Sequence, residues 1–131
     1  MTTHLCFVYG SLLRGEANHR LLQRARFVRA ARTSPVFTMV DLGAFPGILA
    51  GGTTAIAGEV YEVDEDTLRA LDRLEGHPTF YRRHEVELDD RSFASAYLLP
   101  APRLRSFPAV TSGSWLEHRA RACEDGRGRS R

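Results

Sequence analysis

The stretch Ala55–Gly76, "AIAGEVYEVDEDTLRALDRLEG", holds a strand and a helix back to back. Val60 sits beside Glu59 and Tyr61 beside Glu62, apolar against acidic, which is the pattern of a half-exposed strand. From Asp64 the period changes. Asp64 suits a helix N-cap, Glu65 and Asp66 suit the positive end of the helix dipole, and Gly76 suits a left-handed stop. Between them Leu68, Leu71 and Leu74 recur at helical spacing and are expected to form the buried stripe.

Working outward, strands dominate. Leu5–Tyr9 is an apolar run that reads as a buried strand, stopping at Gly10-Ser11. "GEANHRLLQRARF" pairs Leu21, Leu22 and Ala25 as a short helix or turn. "FVRAARTSPVFTMVDL" is β-branched in patches with Pro35 at an edge or bend, and "GAFPGILAGGTT" is too rich in glycine and proline to be regular throughout. "RRHEVEL" and "SFASAYLL" read as a hairpin around the acidic turn "DDRS". From Pro100 three prolines lead to "SGSWLEHRA", a short amphipathic end. Strands outnumber helices and do not alternate with them, so the fold class is α+β and not a doubly wound sheet.

At 131 residues one domain is expected, over residues 1–118, followed by a disordered Arg/Gly-rich tail at 119–131. That tail sets five arginines against Glu124 and Asp125, a charge of +3, which leaves the rest of the chain at −1 out of a total of +2. The globular part therefore offers no basic footprint for nucleic acid. No apolar run approaches the roughly 20 residues of a spanning helix, and the N-terminus does not read as a signal peptide, so no membrane partner and a cytoplasmic location are expected. Cys6 and Cys123, at opposite ends, are poor material for a disulfide framework. All 18 basic residues are arginine; with no lysine, Schiff-base chemistry and a lysine-bearing phosphate loop are excluded.

Two places break the structural pattern. Glu75 lies four residues after Leu71 and seven after Leu68, so a carboxylate falls within the apolar arc of the helix, in its last turn, where the dipole disfavours an anion. Burial and dipole both raise its pKa, the direction that suits a general base. The bland alternative is a glutamate splayed to solvent or paired with Arg82 or Arg83. The second place is Gly10-Ser11, where a turning backbone can aim successive N–H groups at an anion; the bland alternative is a plain strand-ending turn. A nucleophilic Ser11 is not supported, because the nucleophile elbow needs glycines where Tyr9 and Leu13 stand. Tyr81 reads as a core tyrosine or a pocket wall, and Arg14 as a ligand contact or a surface residue. His4, Cys6, His77 and His84 lack the tight spacing of a metal site, so no metal is expected.

With "FVYGSLLRGEANHRLL" at Phe7–Leu22, Phe45-Pro46-Gly47 in the middle, "GEVYEVDEDTLRALDRLEGHPTFYRR" at Gly58–Arg83 and Ser-Gly-x-Trp ending at Trp115, the sequence resembles the γ-glutamylcyclotransferase-like superfamily. It is most similar to the γ-glutamylamine cyclotransferase/AIG2-like branch. The resemblance implies a mixed β-sheet or partial barrel flanked by short helices, with a cavity between the end of the first strand and the helix carrying Glu75. It implies Glu75 as the catalytic acid/base, a substrate-binding loop at Tyr9, Gly10, Ser11 and Leu12, and Tyr81 beside the substrate. The implied reaction releases 5-oxoproline and a free amine from a small γ-glutamyl amide, without cofactor or metal. Alternatives are a binding module of the same fold and an amidohydrolase releasing glutamate.

Overall fold

In the computed structural model, residues 2–100 and 107–128 are described, with the side chains of 124–128 left aside. The strands are β1 (Thr3–Val8), β2 (Arg26–Arg32), β3 (Phe37–Asp41), β4 (Pro46–Ala50), β5 (Ala57–Asp64), β6 (Arg82–Glu87) and β7 (Phe93–Leu98). The helices are α1 (Glu65–Glu75) and α2 (Trp115–Gly128), with a single 3-10 turn at His19–Leu22. Five strands form a sheet ordered β2-β5-β1-β7-β6, and β3 and β4 form a separate two-stranded ribbon. Neighbours in the large sheet are antiparallel except β1 and β7, which run parallel through Cys6 and Ser95. The sheet is mixed and open, an α+β arrangement without a closed barrel.

Strand β1 occupies the centre, and its sequence explains why. Cys6, Phe7 and Val8 are buried in succession, so both faces of the strand are covered and its apolar run is continuous instead of alternating. On one face Cys6 and Val8 join Tyr61, Val63, Leu68, Leu71 and Tyr97 beneath α1. On the other, Phe7 joins Val60, Ile56, Ala96 and the ribbon residues Met39 and Ile48. The alternating strand expected at Glu59–Glu62 is β5, paired with β1 from Thr3↔Asp64 to Val8↔Glu59.

Helix α1 begins and ends as its sequence dictates. Asp64 Oδ1 accepts from the Thr67 N–H at 2.7 Å, and Gly76 takes a left-handed φ of 69° to close the C-terminus. Its stripe is narrower than expected: Leu68 and Leu71 are buried, but Leu74 is 41% exposed at the mouth of a cavity. Pro46–Ala50, inside the stretch expected not to be regular throughout, is a strand, held by pairing with β3 in which Pro46 occupies the first position, where a missing N–H matters least. Helix α2 runs from Trp115 to Gly128, into the stretch assigned to the tail from residue 119. Trp115, buried and stacked on His118, seats that helix, while His118 Nε2 meets Asp41 Oδ2 at 2.8 Å and Arg119 meets Glu16. Residues 101–106, within the proline-bearing stretch, and 129–131 of the tail lie outside the described residues. Among the described residues no helix is long and apolar enough to cross a membrane.

Candidate active site

A cavity of about 200 Å³ opens where the C-terminal end of β1 faces the last turn of α1. Tyr9, Gly10, Ser11, Leu12, Glu75 and Tyr81, all singled out from the sequence, line it. Strand β1 delivers the loop and α1 delivers the carboxylate; the β5 strand between them pairs with β1 and leads directly into α1.

Glu75 lines this cavity from the last turn of α1. Among the described residues no donor and no cation meets its carboxylate, and desolvation raises its pKa to about 7. The pairing with Arg83 that would have made it ordinary does not occur. Arg83 is instead bidentate to Asp72, one turn earlier on α1, with Nε at 3.0 Å from Oδ1 and Nη2 at 3.1 Å from Oδ2. Asp72 Oδ1 also accepts from the Tyr97 hydroxyl at 2.6 Å. Desolvation pulls Asp72 upward, but the bonds from Tyr97 and Arg83 outweigh it and hold the carboxyl below its usual range. Two carboxylates one turn apart thus have opposite environments, which is how a site separates a titrating group from a fixed anion.

The loop after β1 is built by packing more than by backbone freedom. Gly10 does not adopt a positive φ, so the nest that a left-handed glycine would make is not its origin. A Cβ on Gly10 would lie 2.8 Å from Pro46 Cδ and Cγ, and glycine is required for that close approach. The Leu13 N–H is taken by Gly10 O at 3.0 Å, whereas among the described residues the N–H groups of Ser11 and Leu12 have no acceptor. Ser11 is pinned by Asn18, whose Nδ2 donates to Oγ at 2.9 Å and whose N–H donates to the Ser11 carbonyl at 2.9 Å. No histidine lies on the Ser11 hydroxyl: the nearby His19 uses Nδ1 on the Leu12 carbonyl.

The tyrosines are walls. Tyr9 donates its hydroxyl proton to the Tyr97 carbonyl and Tyr81 donates to the Pro46 carbonyl, each at 2.6 Å. Burial pushes both hydroxyls above their usual pKa, with Glu75 adding to the effect, so neither is a base. Tyr81 is therefore both core residue and pocket wall. Arg14 faces away from the site, its guanidinium 4.4 Å from the Phe27 ring centre and its N–H on Glu59. His4 lies against Glu65 at 2.9 Å and His77 accepts from the Arg83 N–H at 3.0 Å; among the described residues no group of three or more histidine, cysteine or acidic side chains converges to hold a metal.

Sequence reading missed Asn18, Phe45, Leu74, Phe80 and Tyr97 as lining residues. Phe45 and Tyr97 arrive from distant segments, and Asn18 folds back onto Ser11 from later in the same loop. Leu74 was placed in the core, and Phe80 carried no local signal beyond lying next to Tyr81.

A model of the family described as gamma-glutamyl cyclotransferase, AIG2-like, matches residues 6–117, and with it the Tyr9–Leu12 loop and Glu75. The chain belongs to that family. A Vibrio cholerae relative provisionally named a gamma-glutamylcyclotransferase is 41% identical over 117 residues, covering 87% of this chain and 96% of its own. The human gamma-glutamylaminecyclotransferase is 39% identical over 110 residues, covering 75% and 71% respectively. Among solved structures, the mouse AIG2-like protein superposes with a TM-score of 0.77 at 30% identity, over 88% of this chain and 89% of that one. Membership in the AIG2-like gamma-glutamyl cyclotransferase family makes the chain an enzyme of the cyclotransferase class, and the fold expected from the resemblance is the fold observed.

Proposed function

We propose that this cyclotransferase acts on a γ-glutamyl amide, converting it to 5-oxoproline and a free amine, with Glu75 as acid/base. The observation that carries the reading is the Glu75 carboxylate: it lines the cavity with no ion-pair partner among the described residues, and burial raises its pKa to about 7. Such a substrate brings its own nucleophile. Its α-amine closes on the γ-carbonyl to form a five-membered lactam, and the C–N bond to the leaving amine breaks. Intramolecular closure benefits from effective molarities of about 10⁵ M or more, so the protein's main task is to hold the folded conformer. Glu75 in its ionised form takes one proton from the α-ammonium and delivers it to the departing nitrogen; the attacking nitrogen sheds its second proton as the lactam forms, and that proton ends on the released amine as ammonium, so the proton count balances. The unoccupied N–H groups of Ser11 and Leu12 and the amide of Asn18 suit the α-carboxylate or the oxyanion of the tetrahedral intermediate. The similarity to the human gamma-glutamylaminecyclotransferase supports an amine leaving group.

The product distinguishes this reading from hydrolysis. Incubation with a panel of γ-glutamyl amides is expected to yield 5-oxoproline and amine in equal amounts by mass spectrometry. Free glutamate in place of 5-oxoproline means that water, not the α-amine, attacks; no consumption across the panel removes the catalytic reading altogether.

A further inference from the structure

The cavity carries polar groups on the side of the loop after β1 and exposed apolar side chains at its mouth, and this division identifies the leaving group. On the loop side stand the Ser11 and Leu12 N–H groups and Asn18, with Tyr9 and Tyr81 among the buried lining residues. At the outer end the lining residues are Leu74, Phe80 and Phe45, which are 41%, 37% and 36% exposed. Phe80 packs edge-on against Tyr81 at 4.9 Å between ring centres, and Phe45 meets Phe80 edge-on at 6.3 Å. Three large apolar side chains left open to water at the rim of one cavity carry surface that a ligand's apolar portion covers favourably. Among the described residues fourteen line the cavity; Glu75 is the single charged one of these, and none is arginine or histidine. Among these residues a leaving group bearing a carboxylate finds no cation, and one bearing a distal ammonium finds no carboxylate other than the one used for proton transfer.

Building on the proposed cyclotransferase reaction, we infer that the leaving group is an uncharged apolar amine, alkyl or arylalkyl, seated against Phe45, Leu74 and Phe80. The glutamyl end enters first and takes the polar groups. The scissile nitrogen then lies near Glu75, and the carbon chain beyond it emerges along the apolar rim.

The test is a matched series: γ-glutamyl derivatives of ethylamine, butylamine, phenethylamine, glycine and 1,4-diaminobutane. For wild type, kcat/KM is expected to rise from ethyl to butyl by up to about fourfold per methylene that is fully buried. The butyl and phenethyl amides are expected to exceed both the glycine and the diamine derivatives at least tenfold. Phe80→Ala, at a position partly open to water, is expected to cut the phenethyl-to-ethyl ratio about fivefold or more, with Phe45→Ala acting in the same direction; the thermal midpoint of each variant verifies folding. Equal turnover across the series, or preference for the glycine or diamine derivative, overturns the leaving-group assignment while leaving the cyclotransferase reading intact. So does a Phe80→Ala variant that slows every amide by the same factor. If no member yields 5-oxoproline, both fall together.

Discussion

At the residue scale the decisive feature is a glutamate whose neighbours leave it alone. Position 75 falls in the last turn of α1, against the dipole, with apolar and aromatic groups around it and no counter-ion among the described residues. Its pKa near 7 has a consequence for stability as well as for rate. A carboxyl that titrates at about 4.5 in the unfolded chain and about 7 in the folded one binds more protons in the native state across that interval. Stability contributed by the protonated form is therefore full below pH 4.5 and is lost as pH rises to 7. Glutamine carries no such penalty. Glu75→Gln is expected to raise the thermal midpoint relative to wild type at pH 8 and to lose that advantage at pH 4.5, measured by scanning calorimetry at both values. The half-buried Leu74 beside it shows the limit of periodicity as a guide: helical spacing fixes which arc a residue occupies but not how far the covering elements reach.

At the element scale α1 is anchored by Asp72. Its carboxylate holds Arg83 of β6 and Tyr97 of β7, and the Tyr97 carbonyl in turn receives the Tyr9 hydroxyl. Both partners of the Asp72–Arg83 pair are mostly buried, with side chains 20% and 30% exposed, whereas Arg69 and Asp66 on the same helix are 60% and 75% exposed. Removing one partner of a partly buried, hydrogen-bonded pair costs far more than removing one of a solvated pair. Asp72→Ala is expected to destabilise the fold by about 2–3 kcal/mol in urea titration, against less than about 1 kcal/mol for Asp66→Ala. Helix α1 was legible in the sequence because its signals are local: cap, dipole, stripe and stop. Strand β4 was not, because Gly43, Pro46, Gly47, Gly51 and Gly52 look like loop until β3 supplies a partner. Gly47 is such a case, since a Cβ there would sit 2.2 Å from Leu99 Cδ1. The helical continuation past residue 119 was likewise hidden, for its Arg/Gly composition argues for solvent and its seat depends on Trp115 and on Asp41 of β3.

At the scale of the whole molecule, the site exists because the topology folds distant segments onto one end of β1. The central strand ends at the loop, β5 returns alongside it and launches α1, and the ribbon places Pro46 against Gly10. The sequence announced the two ends of the cavity, Tyr9–Leu12 and Glu75, because each carried a local anomaly. Its remaining walls are products of long-range packing and carried none. The ribbon β3–β4 packs over one face of the open sheet, and the cavity at the end of β1 brings the loop Gly10–Leu12 together with the exposed apolar residues Phe45, Leu74 and Phe80. The proposed reaction turns on Glu75, and one comparison tests it most directly: initial rates of 5-oxoproline release by wild type and by Glu75→Gln, on the best amide of the series. The expected result is a loss of about 10²- to 10⁴-fold in kcat with the fold retained. Turnover within a factor of two of wild type would contradict the account.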